Sequence, residues 1–258
     1  MIDLHSHVLP GIDDGPATVE GSLAMLRAAA AAGTTTITAT PHVSGTHRND
    51  PGSISAAAEM LAAARADEGE EIAIEVRLGA EVAYTMISEL DREELPRLCL
   101  GDGPWLLLEP PFSPVVAGLD ATVAELHRRD HRVLLAHPER CPAFHRDPGL
   151  VEAMVDGGVL TSVTAGSLAG RFGSQARRMA LWLLDRGLAH NVASDAHDAR
   201  NRSPSIMPGL RDAGRPELAD WLTRDVPAAI LAGEEIPPRP AVAAPAPRRR
   251  LAWLRGGG

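Results

Sequence analysis

Short apolar runs rich in β-branched residues and leucine alternate along the chain with longer Ala- and Leu-rich stretches of helical period. The apolar runs predict seven strands, at residues 1–5, 35–40, 72–78, 105–108, 132–136, 160–163 and 190–194. The intervening stretches predict helices at residues 18–32, 53–67, 116–129, 148–156 and 174–186. Such alternation is typical of a parallel sheet, and both a closed β/α barrel and a doubly wound open sheet fit the pattern.

The pattern changes after residue 236. Residues 237–240 read Pro-Pro-Arg-Pro, and residues 248–255 read Arg-Arg-Arg-Leu-Ala-Trp-Leu-Arg. This composition cannot bury enough apolar surface to fold by itself. We therefore expect one folded domain at residues 1–236 and a disordered tail at residues 237–258. The basic Leu/Trp segment of the tail also suits contact with a membrane or a protein partner.

Composition excludes several classes of function. Among the 258 residues all 25 basic side chains are arginine, so chemistry that needs a P-loop or Schiff-base lysine is ruled out. The formal charge of −9 argues against nucleic-acid binding. The amino terminus has no signal-peptide pattern and no apolar run is long enough to span a membrane. With only two cysteines, Cys99 and Cys141, the chain is predicted to be cytoplasmic.

Residues of metal-binding type follow the ends of the predicted strands, one strand after another. They are His5 and His7, His42, Glu81, Glu109, His137, and Asp195 with His197. In a β/α barrel the carboxyl ends of the strands converge on one face, where catalytic sites are built. One such residue alone is usually structural, but the whole set predicts a site that binds several metal ions.

The ligand types narrow the choice of metal. Imidazole and carboxylate without thiolate favour Mn²⁺, Fe or Zn²⁺. Cys99 and Cys141 are each followed six residues later by a residue other than arginine, which excludes a cysteine-phosphatase loop.

The remaining histidines have no ligand-like pairing and are interpreted as surface or structural residues. They are His47, His127, His131, His145 and His190. Trp182 and Trp221 are expected in the core.

Three segments resemble one known family. Residues 1–16 read Met-Ile-Asp-Leu-His-Ser-His-Val-Leu-Pro-Gly-Ile-Asp-Asp-Gly-Pro, residues 137–140 read His-Pro-Glu-Arg, and residues 194–197 read Ser-Asp-Ala-His with Asn201 and Arg202 following. These motifs resemble the PHP (polymerase and histidinol phosphatase) superfamily. More narrowly, they resemble the CpsB/CapC-type metal-dependent protein-tyrosine phosphatases of bacterial capsule and exopolysaccharide operons. The resemblance spans residues 1–236.

The resemblance implies a distorted seven-stranded β/α barrel of PHP type that forms a single domain and holds three divalent ions. Mn²⁺ is favoured, with Fe or Zn²⁺ as alternatives. By the family pattern one ion would lie between His5, His7, Glu81 and Asp195, a second between Glu81, His42 and His137, and a third between Asp14, Glu109 and His197. Asp14 is favoured over its neighbour Asp13 because the family motif places the ligand there.

The resemblance also implies that Arg140 and Arg202 bind the substrate phosphate. Arginine suits this role because its planar guanidinium matches phosphate oxygens in two-point contact. One departure from the family pattern is Cys141, where an aromatic residue commonly follows His-Pro-Glu-Arg.

The hypothesis is a protein-tyrosine phosphatase in which a metal-held hydroxide attacks phosphotyrosine. Its expected partner is a bacterial tyrosine kinase that regulates capsule or exopolysaccharide synthesis. Two alternatives remain open: a PHP phosphatase of a small phosphomonoester such as histidinol phosphate, and a non-catalytic, metal-stabilised regulatory partner of the kinase.

Overall fold

The computed structural model describes residues 1–68 and 72–241. In these ranges the chain forms nine strands: β1 (Ile2–Ser6), β2 (Thr36–Ala39), β3 (His42–Val43), β4 (Glu75–Leu78), β5 (Glu81–Ala83), β6 (Trp105–Glu109), β7 (Arg132–Ala136), β8 (Leu160–Thr164) and β9 (Asn191–Ala193). Every pair of neighbouring strands is parallel.

Helices connect the strands. They are α1 (Val19–Ala31), α2 (Pro51–Asp67), α3 (Leu95–Leu98), α4 (Leu119–Arg128), α5 (Pro142–Arg146), α6 (Gly149–Asp156), α7 (Ala165–Leu168), α8 (Gly173–Arg186), α9 (Met207–Ala213) and α10 (Val226–Ala232). Short 3₁₀ turns lie at Tyr84–Met86, Pro138–Arg140 and Pro216–Leu218, and a π turn lies at Trp221–Asp225.

The predicted strands and helices are all present, with ends shifted by a few residues. The sequence pattern missed β3, β5 and helices of four to seven residues such as α3, α5 and α7. These helices are shorter than two turns and these strands have only two or three residues, so they contain too few repeats for their periodicity to be detected.

The prediction of one closed seven-stranded barrel is not confirmed. In the described part of the chain the strands form two sheets, ordered β1-β2-β4 and β3-β5-β6-β7-β8-β9. The physical reason lies at two points where a predicted strand ends and a short strand that the pattern missed begins a few residues later. Pro41, which has no N–H group, separates β2 from β3, and Gly79-Ala80 separates β4 from β5.

The pairing register continues across this division. Ala39 pairs with Leu78 and His42 pairs with Glu81, so the same offset holds on both sides. The Gly79 amide donates to Ala39 O at 3.0 Å, and the Glu81 amide donates to Pro41 O at 3.1 Å. The division therefore interrupts the ladder without changing which residues face each other at its carboxyl end.

The two sheets are joined where β1 ends. The Asp195 amide donates to His5 O at 2.9 Å and the His7 amide donates to Ala196 O at 2.8 Å, just beyond β9. Asp3, which is fully buried, strengthens this junction because its Oδ1 accepts the Ser194 amide at 3.0 Å. These bonds place the end of the first strand beside the end of the last.

The strands at the centre are apolar on both faces. Leu106, Leu107 and Leu108 of β6 and Leu134 and Leu135 of β7 are fully buried. Such continuous apolar strands are expected when helices cover a parallel sheet. The polar residues are consequently displaced to the strand ends.

The chain beyond residue 236 begins in contact with the folded body. The Trp221 indole donates to Pro237 O at 3.0 Å, and Arg239 donates to Leu184 O at 2.7 Å. The division at residue 236 stays a prediction, and residues 242–258 of the predicted tail lie outside the described residues. Within the described ranges, no helix has both the length and the apolar character that crossing a membrane requires.

Packing of α9 on α7 gives a test of the fold. A Cβ at Gly209 would lie 2.3 Å from Ala165 O, which belongs to the backbone of α7. We expect Gly209→Ala to lower the free energy of unfolding by about 1–3 kcal/mol, because the helices must separate. Urea denaturation measures this change. Gly45→Ala is the control, since a Cβ there has no neighbour within 4 Å, and equal loss in both variants would contradict the packing described.

Candidate active site

The carboxyl ends of the strands bring together imidazole and carboxylate groups that are almost completely shielded from solvent. His5, His7, Glu81, His137 and Asp195 are each at most 3% exposed. Burying so many titratable groups is costly unless they are paired or bind a cation. Their joint burial therefore indicates that these side chains form a functional site.

Glu81 lies at the centre. Its Oε2 atom is 3.2 Å from His5 Nε2, 3.3 Å from His7 Nε2 and 3.1 Å from His42 Nδ1. Its Oε1 atom is 2.8 Å from His137 Nε2. One carboxylate thus contacts four imidazoles from three strands: His5 and His7 at the end of β1, His42 in β3 and His137 after β7.

Three groups of side chains have the spacing that a metal ion needs. They are His5, His7 and Glu81; His42, Glu81 and Glu109; and His7, Asp14, His42 and His197. The grouping differs from the one that the family resemblance implies. Glu109 lies with His42 and Glu81 rather than with Asp14, and His42 also contributes beside Asp14, whose Oδ1 is 3.2 Å from His197 Nε2.

The chemistry of this donor set fits divalent cations. Glu81 Oε2 and His42 Nδ1 lie 3.1 Å apart but are not aligned for a hydrogen bond, and neither they nor the buried His137 Nδ1 have a hydrogen-bond partner among the described residues. Burial and the charge of Glu81 raise the pKa of Glu109 to about 8. A cation between these groups would supply the missing partners and favour the ionised carboxylates.

The carboxylates around His7 favour positive charge at this position, which either a proton or a cation on Nε2 can supply. Burial lowers the pKa of this imidazole, but the Asp13 and Glu81 carboxylates beside it outweigh burial and raise the pKa to about 10. His7 Nδ1 donates to Asp13 Oδ2 at 2.8 Å. This bond leaves Nε2 directed towards Glu81, which is the arrangement found in metal-binding histidines.

Asp13 thus positions other residues instead of joining the three groups. Besides His7 it binds two backbone amides, His42 N at 3.1 Å and Gly15 N at 2.9 Å. The adjacent acids therefore divide two roles between them, and Asp14 alone faces His197. The sequence offered Asp13 only as a rival for Asp14, because adjacent positions in the sequence do not show which carboxylate faces His197.

Asp195 connects the imidazoles with two arginines. Its Oδ1 atom is 3.6 Å from His5 Nε2 and 3.6 Å from His7 Nε2. Its Oδ2 atom accepts from Arg140 Nη1 at 2.6 Å and from Arg202 Nη2 at 2.8 Å. Burial raises the pKa of Asp195, but the charges of the histidines and Arg202 outweigh it and lower the pKa to about 2.

Two of the site residues have a left-handed backbone. His137 has φ of 31° and Asp195 has φ of 51°, a region that residues other than glycine rarely occupy. His137 directly follows β7, and Asp195 lies two residues after the end of β9. The sharp turn at each of these points brings the side chain back over the strand ends.

Aromatic rings flank Arg140, and the sequence did not single them out. The guanidinium carbon lies 5.0 Å from the ring centre of Phe112 and 4.3 Å from that of Phe172. Cys141 is buried, and its thiol donates to Pro111 O at 3.2 Å. The two phenylalanines come from loops 60 residues apart, so no local pattern could pair them.

The remaining histidines are mostly structural, as predicted. His145 Nε2 donates to Glu139 O at 2.6 Å, His190 Nδ1 is 3.2 Å from the Thr161 amide, and His131 contacts the Cys99 thiol. His47 differs, because its ring stacks on His42 with centres 5.5 Å apart. Trp221 is buried as expected, whereas Trp182 is only partly buried.

Together these features define a class: an α/β protein with a buried imidazole–carboxylate centre and adjacent arginines at the carboxyl ends of its parallel strands. The chain belongs to the family described as capsular polysaccharide synthesis, CpsB/CapC, whose profile matches residues 1–215.

Known proteins agree with this assignment. The chain is 36% identical over 204 residues to the tyrosine-protein phosphatase YwqE of Bacillus subtilis, covering 79% of this chain and 80% of YwqE. It is 29% identical over 220 residues to the tyrosine-protein phosphatase CpsB of Streptococcus pneumoniae, covering 80% and 87%. A solved structure from work on YwqE and CpsB, described as unique metal-dependent tyrosine phosphatases, superposes with a TM-score of 0.80 at 30% identity, covering 94% of this chain and 100% of that one.

The central position of Glu81 predicts its effect on metal binding. We expect Glu81→Gln to lose most bound Mn²⁺, because Glu81 belongs to two of the three groups and a neutral amide is a poorer ligand. Elemental analysis after dialysis against Mn²⁺ measures the content, and thermal unfolding measures the stabilisation by added Mn²⁺. The exposed Glu59→Gln is the control. Unchanged metal content in Glu81→Gln would contradict this role.

Proposed function

We propose that the protein is a metal-dependent tyrosine phosphatase that hydrolyses phosphotyrosine in a bacterial kinase controlling capsule or exopolysaccharide synthesis. The relatives YwqE and CpsB bear the name of this activity. The proposal includes three divalent ions, preferably Mn²⁺, bound by the nine residues predicted from the sequence, and action in the cytoplasm. Arg140 and Arg202 bind the phosphate.

This proposal rests on the two carboxylate oxygens of Asp195, which contact different groups. One of its oxygens faces the imidazoles of the candidate metal centre and the other binds both guanidinium groups. The metal-binding groups and the phosphate-binding groups therefore meet at one carboxylate. A phosphoryl group placed between them would contact both.

Arg202 also has an unused donor. Its Nε atom is buried and has no hydrogen-bond partner among the described residues. The side chain lines a cavity of about 180 Å³ together with Phe172, Asn201 and Asp195. A phosphate oxygen is a suitable acceptor for such a donor.

The residues divide the work of hydrolysis. Divalent cations held by the imidazole and carboxylate groups would supply positive charge to the phosphoryl oxygens and lower the pKa of the attacking water. Arg140 and Arg202 hold the non-bridging oxygens and stabilise the charge that develops on them. Asp195 orients both arginines, and Asp13 fixes His7 with Nε2 directed inward. A phenolate leaving group, with a pKa of about 10, departs without strong protonation, which suits a centre with metal ligands and arginines around the substrate.

Metal dependence is the first test. Purified protein loaded with Mn²⁺ is expected to release phosphate from a phosphotyrosine peptide, to stop in EDTA, and to recover when Mn²⁺ is returned. Phosphate release measures each step, and histidinol phosphate serves as the competing substrate. Full activity in EDTA would contradict metal dependence, and a clear preference for histidinol phosphate would favour the small-ester alternative.

Arginine geometry is the second test. Arg202→Lys keeps the positive charge but removes the planar pair of donors, so kcat/KM for phosphotyrosine peptide is expected to fall on the order of 100-fold. Metal content should not change. The neighbouring exposed Arg200→Lys is the matched control. Equal activity of the two variants would show that Arg202 does not bind the phosphate.

A further inference from the structure

Phe112 is an exposed aromatic side chain at the edge of the site. It is one of three phenylalanines in the chain, and its side chain is 53% exposed. Large apolar side chains at the surface of a site are often available to a ligand. Phe112 follows Glu109, the last residue of β6, after two prolines.

The Phe112 ring packs against two residues of the site, His137 and Arg140. The ring stacks on the buried His137 imidazole, with centres 5.4 Å apart and planes inclined by 26°. Arg140 lies beside it, with its guanidinium carbon 5.0 Å from the ring centre. The exposed part of the ring therefore borders the place where Arg140 would hold a phosphate.

The loop that carries Phe112 is held against the protein. The Cys141 thiol donates to Pro111 O at 3.2 Å, and the Ala143 amide donates to Ser113 O at 3.2 Å. Pro110 and Pro111 further restrict the backbone. The ring is thus positioned before a ligand arrives, which lowers the entropic cost of binding to it.

We propose that Phe112 binds the phenyl ring of the phosphorylated tyrosine and thereby selects aryl over alkyl phosphate esters. This inference rests on the proposed function and adds a substrate contact to it. A phosphate on Arg140 places the ester's leaving group next to Phe112, where a phenyl ring can pack on it and an alkyl chain makes a smaller contact. Phe172, whose ring centre is 4.3 Å from the Arg140 guanidinium carbon, helps to hold the guanidinium in place.

The test compares the hydrolysis of an aryl ester with that of an alkyl ester, in wild-type protein and in variants. Phe112→Ala is expected to lower the ratio of kcat/KM for phenyl phosphate to that for glycerol 2-phosphate by about five- to tenfold. Phe112→Tyr should keep the wild-type ratio because it keeps the ring. Val115→Ala is the matched control, since Val115 is an exposed apolar residue of the same loop, and it should also keep the ratio.

Binding gives a readout that does not need turnover. Isothermal titration calorimetry of the Mn²⁺-loaded protein with phenylphosphonate and with methylphosphonate should show the same loss of preference in Phe112→Ala. If both esters lose rate equally, Phe112 acts only by positioning Arg140, and the proposal is overturned. A low ratio in Phe112→Tyr would overturn it as well. Wild-type protein that hydrolyses neither ester would instead overturn the proposed function, and this inference with it.

Discussion

The structure depends on the burial of the Glu81 carboxylate among four imidazoles. Each of these groups would lose hydration on burial, and the loss is offset only because they lie close enough to share charge. The same imidazole nitrogens and carboxylate oxygens can bind a cation or contact one another. The geometry of the strand ends must therefore be exact to within a fraction of the metal–ligand distance, and the fully buried leucines of β6 and β7 below provide that rigidity.

The division of two strands serves the same end. Pro41 precedes His42, and Gly79-Ala80 precedes Glu81, so each break lies directly before a site residue. A Cβ at Gly79 would lie 2.8 Å from the Leu100 side chain, which shows how closely the chain approaches there. The preserved register across the break keeps His42 opposite Glu81. The breaks at Pro41 and at Gly79-Ala80 interrupt the strand ladder, and directly after them His42 and Glu81 lie side by side.

Much of the fold and most of the site residues could be predicted from the sequence, because parallel strands are apolar and their polar ends are easily seen. His137 and Asp195 follow such a run directly, and Glu81 follows one after Gly79-Ala80. What could not be predicted depends on tertiary contacts: the division at Pro41, the position of Asp14 beside His197 while Asp13 binds His7, and the two rings near Arg140. The placement of Glu109 beside His42 instead of Asp14 belongs to the same category, since it depends on how the strand ends converge.

The junction between the ends of β1 and β9 has a consequence for the order of events during synthesis. The hydrogen bond from Ser194 to Asp3 joins residues 191 positions apart, and the bonds beside it hold His5 and His7 against Asp195. Closing so long a loop costs entropy that only the finished sheet can offset. A nascent chain on the ribosome that lacks β9 has the first histidines but neither Asp195 nor His197, so its metal centre is assembled only after nearly the whole domain has emerged.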